Sequence, residues 1–454
     1  MLEAALIAQV IFWLVVLGVF LASGQASLLH PSTVYLVFHG LVFVVRPLLV
    51  HFLDFNSIWT YIGFQPDESA MIKTLAVTSV ALAVFVGVNL FAGRVLNVFP
   101  PGQPDSLSPL QSKALVITGC LLLPLMAFSI IRTASGHAGG ERAANGIYIM
   151  TTSTGYINDA QFMVAPLLCA WLLMTRFHWL NALPVTIYVG YRTWCGLSRF
   201  TIITFLLAIV MSYCWYHRKK WPPLTAILAA IPVLMLFNTL GHNREYLQNY
   251  FKGYGASALQ LDAGLSRFEK FRARTDTQDF ANYDYLTFIL ALVPERTHTY
   301  TYGVQYLQLF TEPIPRILWR GKPAGAPVET FDISAYGNFI GLTFSLPGDG
   351  WCSGGWIGLV ITMAIVGGVL GTFHRWFWNH INNPMAAMFY ISAMAMILQW
   401  YRDGGISISK FIMWNWLPLF IWMGVTWLLG ERFLPGNTII LRPGDKLRLI
   451  EHKS

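Results

Sequence analysis

Charged residues are scarce in this chain of 454 residues, since only 11% are Asp, Glu, Lys or Arg while 55% are hydrophobic. A soluble domain has about a quarter of its residues charged. This shortage excludes a soluble globule, and the mean hydropathy of +0.52 excludes a disordered chain. The composition is typical of a helical membrane protein.

Several sequence patterns with known chemistry are also missing. The five cysteines are scattered without a Cys-x-x-Cys pair, which excludes a disulfide framework and a cysteine-based metal knuckle. No His and Asp cluster has metal-ligand spacing, and there is no P-loop, no His-Glu-x-x-His and no Gly-x-Ser-x-Gly motif. We therefore expect neither a metal nor a cofactor. No basic, aromatic-rich soluble segment predicts nucleic-acid binding.

Long apolar runs are what the chain has in abundance. A bilayer span needs about 20 apolar residues, and about eleven segments qualify or nearly do. They are 4–22, 31–53, 71–93, 113–131, 160–176, 180–196, 200–216, 222–240, 354–373, 384–400 and 408–429. The first has no basic stretch before it and is too long for a signal peptide, so it is predicted to be a retained helix. The prediction is an all-α polytopic membrane protein.

One long polar segment, 241–352, divides the chain into three parts. Residues 1–240 are predicted to form a bundle of about eight helices, and 353–454 to form further helices with a basic tail. Within the polar segment we expect a surface helix at 262–280, an interfacial or re-entrant element at 285–293 and a kinked element at 300–319.

Basic residues predict the orientation of the chain. The cluster His217–Lys220 and the basic C-terminal tail are separated by an even number of predicted helices. Both then lie in the cytoplasm under the positive-inside rule. The N-terminus is expected outside, the C-terminus inside, and the segment 241–352 facing outward.

Nine arginines are predicted on the outward side, which the charge rule does not explain. A cation within an apolar run costs at least about 2.5–3.5 kcal/mol unless it is paired or solvated. Each arginine either pairs locally or reaches the interface, or the group converges on a polyanion. We favour convergence, because the planar guanidinium holds phosphate oxygens with two bonds. They are Arg46, Arg132, Arg142, Arg192, Arg199, Arg244, Arg316, Arg320 and Arg402.

Two short motifs place an arginine at the end of a predicted helix. The stretch 195–200 opens the seventh helix, so Arg199 and the helix N-terminus would together bind an anion. Alternatively, its glycine and serine only turn and cap the helix. The stretch 241–245 follows the eighth helix, where Arg244 would clamp a phosphate or pair with Glu245.

The stretch 313–323 combines prolines with three cations. Arg316, Arg320 and Lys322 would form a stiff cationic platform, and Trp319 would stack on a sugar ring. The alternative is an interfacial anchor for the polar segment.

A lone carboxylate lies in the glycine-rich stretch 348–358, just before the predicted ninth helix. Asp349 would act as a general base or position an acceptor hydroxyl. Alternatively, it caps that helix or pairs with an arginine. His298 is a second candidate base.

With these motifs the chain resembles the Wzy-type oligosaccharide repeat-unit polymerases (O-antigen polymerases), which share an architecture with the O-antigen ligases. The resemblance covers about residues 190–405. Asp349 stands where many polymerases have Glu, and no clean copy of the ligases' His-containing motif precedes Gly355. The matching stretches are Gly196–Arg199, Arg218–Lys220, Arg244, Ile314–Pro323 and Asp349–Gly358.

The resemblance implies a GT-C-like glycosyltransferase of the bacterial inner membrane that serves polysaccharide or lipopolysaccharide biosynthesis. It would polymerise oligosaccharides carried on undecaprenyl pyrophosphate, with inversion and without a metal. Asp349, Arg199 and Arg316 would be catalytic. Expected partners are membrane lipids, a chain-length regulator and a flippase. The alternatives are a ligase that transfers a finished glycan, or a lipid-linked glycan transporter. The residues expected to bind substrate are Arg192, Arg244, Arg320, Lys322, Trp319, Arg402 and His298.

Overall fold

The structure of this chain is a computed structural model that describes most of the residues. The described residues are 1–95, 99–100, 104–134, 141–142, 148–149, 159–194, 199–225, 266, 269, 271–272, 276, 280–311, 314, 318–319, 331, 335–338 and 342–430. The predicted eighth helix, the surface helix expected at 262–280 and the basic C-terminal tail lie wholly or mostly outside them.

Helices make up most of the described chain, and each predicted span that lies within the described residues overlaps one of them. A two-residue antiparallel pair, Glu141–Arg142 with Tyr148–Ile149, is the exception among the described elements. The helices are α1 Leu2–Ala22, α2 Pro31–Leu53, α3 Ser57–Ile62, α4 Glu68–Ala92, α5 Pro109–Ala134, α6 Val164–Met174, α7 Ala182–Trp194, α8 Arg199–Tyr216, α9 Asn282–Leu292, α10 Val304–Thr311, α11 Ser345–Asn379, α12 Pro384–Asp403 and α13 Gly405–Leu428.

Five of these helices, α1, α2, α4, α5 and α11, are long and apolar enough to cross a membrane. Shorter apolar helices occupy Ala160–Met174, Thr201–Tyr216 and Ile412–Leu428. On α11 the exposed isoleucines 357, 361 and 365 recur every four residues and so lie on one face. Such an apolar stripe is costly in water and favourable against lipid. The architecture is that of a multi-pass helical membrane protein, and the count of about eleven spans stays a prediction.

Polar contacts group the helix ends into two layers. On one layer the N-terminal amine of Met1 lies 3.8 Å from Glu68, which joins the starts of α1 and α4. We call this layer the loop side, because helix α9 of the long polar segment packs there. On the other layer the indole of Trp215 donates to the carbonyl of Ile381 at 2.7 Å. This joins the end of α8 to the turn between α11 and α12, and we call it the turn side.

Helices α4 and α11 approach each other so closely that only glycine fits between them. A Cβ on Gly371 would lie 2.7 Å from the carbonyl oxygen of Asn89, and one on Gly367 would lie 2.9 Å from that of Phe85. The Asn89 amide donates to the Gly367 carbonyl at 2.9 Å and accepts from the Ser32 hydroxyl at 2.9 Å. Small residues and interhelical hydrogen bonds of this kind hold membrane helices together.

Helix α11 contains a break at Gly354 and Gly355, the latter with φ of +60°. A Cβ on Gly358 would lie 2.5 Å from the carbonyl oxygen of Gly350. Residues eight apart in a straight helix are about 12 Å apart. The first arm of α11 therefore folds back on the rest. The second arm therefore begins at the break, close to the predicted start at 354. The glycine-rich stretch that is expected to precede this helix is itself helical, and Asp349 lies inside this first arm.

Helix α9 is buried among other helices. It packs against α4 and α11, and every residue from Asn282 to Leu290 is buried. The sequence predicts an interfacial or re-entrant element here. The structure places a buried helix over those residues. Its Asp284 forms an ion pair with Arg46 of α2.

Candidate functional site

The predicted site residues are unequally described. Of Arg199 only the backbone is described, as the first residue of α8, and its side chain is not. Four further candidates lie outside the described residues, namely Arg244, Arg316, Arg320 and Lys322. The placement of the remaining candidates is described, namely Arg192, His298, Trp319, Asp349 and Arg402.

Arg192 lies near the end of α7 on the loop side and is only 1% exposed. Its Nη1 donates to Gln161 Oε1 at 2.9 Å and its Nη2 to Thr201 Oγ1 at 2.6 Å. Its guanidinium carbon lies 5.0 Å from the centre of the Phe162 ring. All of these partners are neutral. Within the described residues no carboxylate pairs with Arg192, and its Nε has no hydrogen-bond partner.

Gln161 connects this arginine to a second helix end. Its Oε1 accepts from both Arg192 and the Tyr191 hydroxyl, the latter at 2.8 Å, and its Nε2 donates to Thr133 Oγ1 at 3.0 Å. We call Thr133, Gln161, Arg192 and Thr201 the arginine junction. The ends of α5 and α7 and the start of α8 meet there. Because the first N–H groups of α8 have no partner within the helix, a partial positive charge adds to the guanidinium. The arrangement suits an anion.

Arg46 does not join an anion site. It is 1% exposed, its Nε lies 2.8 Å from Asp284 Oδ2, and its Nη2 lies 2.8 Å from Asp276 Oδ1. The expectation that Arg46 converges with the other arginines is therefore wrong, because two carboxylates from the polar segment already neutralise it. Burial raises the pKa of Asp284 above its usual value, while the nearby Arg46 opposes that shift.

Arg402 is also engaged by a carboxylate. Its Nη1 lies 3.1 Å from Asp403 Oδ1, and each side chain is 11% exposed. Its main-chain carbonyl accepts from the Asn282 amide at 2.8 Å. This arginine holds the end of α12 against α9 with its charge already paired.

Asp349 is 3% exposed and faces the start of α13. Its Oδ2 accepts the N–H of Gly405 at 2.5 Å, so it caps α13 and not the helix that contains it. Gly404 has φ of +88°, and a Cβ there would overlap the Asp349 carboxylate. Only glycine satisfies both the backbone angle and the contact. The sequence misses this partnership, and its one local signal is the Gly-Gly pair after Asp403.

Helix α10 supplies the polar neighbours of Asp349. Gln305 Nε2 donates to the main-chain oxygen of Asp349 at 3.3 Å and to Ser353 Oγ at 2.7 Å. The Tyr306 hydroxyl lies 3.3 Å from Thr362 Oγ1. Burial raises the pKa of Tyr306 above its usual value, and the nearby Asp349 carboxylate adds to the shift. Neither Gln305 nor Tyr306 is predicted from the sequence, because nothing local links α10 to the glycine-rich stretch.

Trp319 and His298 belong neither to the arginine junction nor to the neighbours of Asp349. Trp319 is 40% exposed and His298 is exposed. Within the described structure no hydrogen bond, ion pair or ring contact joins either side chain to Asp349 or Arg192. A role in substrate binding stays a prediction for both.

Helix α13 contacts both the arginine junction and Asp349. Its first residue holds Asp349, and the helix also packs against the 3-10 turn Ala160–Met163, which carries Gln161. A cationic group and a carboxylate therefore lie on the loop side against one helix. Among the described residues no three His, Cys, Asp or Glu side chains are grouped as a metal would require.

Comparison with known protein families, characterised proteins and solved structures gives no match to this chain.

Proposed function

We propose that this protein is a membrane glycosyltransferase that polymerises undecaprenyl-pyrophosphate-linked oligosaccharide repeat units at the outer face of the bacterial inner membrane. In this proposal the loop side faces outward, and the C-terminus is cytoplasmic. The reaction inverts the anomeric carbon and uses no metal.

The observation that supports the proposal most directly is the charge of Arg192, which no carboxylate among the described residues compensates. Burying a cation in a membrane bundle costs at least about 2.5–3.5 kcal/mol, and neutral partners such as Gln161 and Thr201 offset only part of that cost. A phosphate dianion supplies the missing charge and accepts the free Nε–H. The first turn of α8 offers further N–H donors to the same anion.

In the proposed mechanism the donor pyrophosphate binds at the arginine junction. Arg192 and the N-terminus of α8, with Arg199, stabilise the negative charge that develops on the leaving group. Arg244 and Arg316 are assigned to the same group on the resemblance alone. Asp349 takes the proton of the acceptor hydroxyl. Pyrophosphate is already a good leaving group, so charge stabilisation and positioning suffice.

The test compares Arg192→Gln with Arg218→Gln in cells that lack the native gene. Arg218 is a matched control, because it also donates to a neutral carbonyl, that of Ile381 at 3.2 Å, but on the turn side. Arg192→Gln is expected to abolish the ladder of polymer lengths on a gel, while Arg218→Gln keeps it. A normal ladder from Arg192→Gln, at equal protein level, contradicts the proposal.

A ligase is the closest alternative, and product analysis distinguishes it. A polymerase gives a ladder of repeats, whereas a ligase gives a single attachment of a finished glycan. The arginine junction serves either reaction, so the geometry favours neither.

A lipid-linked glycan transporter is a second candidate, and one observation favours it. Helix α2 and the residue before it carry three fully buried polar atoms that have no partner in the described structure, Nε2 of His30, the hydroxyl of Tyr35 and Nδ1 of His39. A π-helical turn, Gly40–Val45, lies within α2 directly after His39. Buried ionisable groups in membrane helices often mark transport paths, and π-helical turns are frequent at functional sites. Exposure of extracted lipid-linked oligosaccharide to an external lectin, in vesicles and without elongation, would support transport.

A further inference from the structure

The carboxylate of Asp349 has unused hydrogen-bonding capacity. It is 3% exposed, and among the described residues the Gly405 N–H is the donor that it receives. An ionised carboxylate accepts about four hydrogen bonds. A buried carboxylate with a single donor is costly unless something else donates to it.

Two further atoms beside the same glycines also lack partners. The indole Nε1 of Trp400 and the Oε1 of Gln305 are buried and have no hydrogen bond within the described structure. A Cβ on Gly405 would lie 3.4 Å from Trp400 Nε1 and 3.1 Å from the Tyr306 ring. Gln305 reaches the main chain of Asp349 through its other amide atom. All of these groups therefore surround the turn between α12 and α13.

The unpaired donor and acceptors match the hydrogen-bonding atoms of sugar hydroxyls. The indole only donates, while the amide oxygen and the carboxylate only accept. A hydroxyl accepts the indole hydrogen and donates its own, and the aromatic faces of Trp400 and Tyr306 suit the apolar face of a sugar ring. Each unsatisfied buried group needs such an explanation, since native structures contain few.

We propose that Asp349 and Trp400 bind the attacking hydroxyl of the acceptor glycan, and that the Gln305 amide oxygen accepts from a second hydroxyl of the same glycan. This inference rests on the proposed function and names the acceptor half of its site. Trp400 Nε1–H donates to the hydroxyl oxygen, and the hydroxyl proton points at the Asp349 carboxylate. Neither Trp400 nor Gln305 is predicted to be functional from the sequence.

The transfer step balances with these groups alone. The acceptor oxygen forms a bond to the anomeric carbon of the donor. The bond from that carbon to the pyrophosphate oxygen breaks, and its electron pair leaves with undecaprenyl pyrophosphate. The hydroxyl proton passes to Asp349 and from there to water. Attack opposite the leaving group inverts the anomeric carbon.

Entry of the acceptor requires helix α10 to shift, because this helix covers Asp349. Its inner side carries Gln305 and Tyr306, while Leu307 and Phe310 on its outer side are 63% and 79% exposed. An eight-residue helix with one polar and one apolar side is held by few contacts and moves at modest cost.

The experiment replaces single indoles by phenylalanine in the purified full-length protein, reconstituted in vesicles. The probe is the lipid-linked oligosaccharide that is solvent-extracted from host cells lacking this gene. Trp400→Phe removes an unpaired donor at the proposed site. Trp414→Phe removes an unpaired donor about 13 Å along α13 from Gly405. Trp422→Phe removes a donor that is bonded to the Gln111 carbonyl at 2.9 Å.

Only Trp400→Phe is expected to slow elongation, by about 10-fold or more, since a lost hydrogen bond to a reacting group has that effect. The thermal midpoint should fall most for Trp422→Phe, because only this variant leaves a bonded carbonyl, that of Gln111, without its donor.

The two possible failures are distinguishable. If the unmodified protein neither extends the extracted oligosaccharide nor releases undecaprenyl pyrophosphate, the proposed function is overturned. If the unmodified protein is active and Trp400→Phe elongates as fast as Trp414→Phe, the acceptor site is overturned and the proposed function stands.

Discussion

The pairing of Arg46 with two carboxylates gives the most direct prediction about stability. Arg46→Met keeps a long unbranched side chain and removes the charge. Asp276 and Asp284 are then left 3% and 0% exposed without their cation. Removing one partner of a buried ion pair costs about 3–5 kcal/mol, because the remaining charge is uncompensated. We expect a clear fall in the thermal midpoint of the detergent-solubilised protein, measured by size-exclusion chromatography after heating.

The compensating variant separates charge from packing. Arg46→Met combined with Asp276→Asn and Asp284→Asn removes all three charges and keeps the side-chain volumes. Replacing a complete buried ion group by neutral residues is often nearly neutral. We expect this triple variant to recover most of the lost stability and to make polymer, because Arg46 holds the polar segment and does not bind substrate.

The pH dependence of the single variant follows from the same geometry. The pKa of Asp284 is raised by burial, so the folded state binds its proton more readily than the unfolded state. This group therefore favours folding increasingly as the pH falls through its raised pKa. The deficit of Arg46→Met should shrink on acidification. A deficit that is constant with pH, or a stable triple variant that makes no polymer, would refute the structural role of Arg46.

Two further predictions concern glycines, each with a control. Gly371→Ala should destabilise the protein by about 1–3 kcal/mol, because its Cβ would lie 2.7 Å from the Asn89 carbonyl oxygen. The control is Gly87→Ala on α4, whose Cβ meets nothing within 4 Å. This control should be neutral or slightly stabilising. A similar thermal midpoint for both variants would contradict the close approach of α4 and α11. Gly404→Ala should lose more stability than Gly63→Ala, since both have positive φ but only the first displaces Asp349. Strain alone costs about 1–3 kcal/mol, so equal losses would mean that the Asp349 contact is unimportant.

Apolar run length predicts the helices well because it depends on local composition. Ten to thirty neighbouring residues decide whether a segment is apolar enough to form a buried helix, and the bilayer fixes the length that they need. The bounds of α1 and α4 were therefore close to those expected from the runs at 4–22 and 71–93. The helical first arm of α11 is not predicted, because its glycines suggest a loop in isolation, and the reversal depends on packing of Gly350 against Leu359 across the break.

The candidate site was harder to predict, because its contacts join residues far apart in sequence. Arg46 and Asp284 are separated by 238 positions and Asp349 and Gly405 by 56. The sequence predicts that buried arginines need partners, since the cost of an unpaired charge is general. It does not predict which arginine finds a carboxylate, since that depends on how the polar segment folds back over α2.

Arg46 and Arg192 have different predicted roles because, among the described residues, carboxylates pair with Arg46 and not with Arg192. Both are 1% exposed, so both have lost their water. Arg46 has two acidic partners, whose combined negative charge exceeds its own positive charge. A ligand anion would therefore be repelled there. Arg192 has a glutamine, a threonine and an aromatic ring, which together stabilise the cation without neutralising it. A buried cation with no counter-ion among the described residues is costly, and an anion that binds beside it offsets that cost. For that reason we assign the substrate phosphate to Arg192 and a structural role to Arg46.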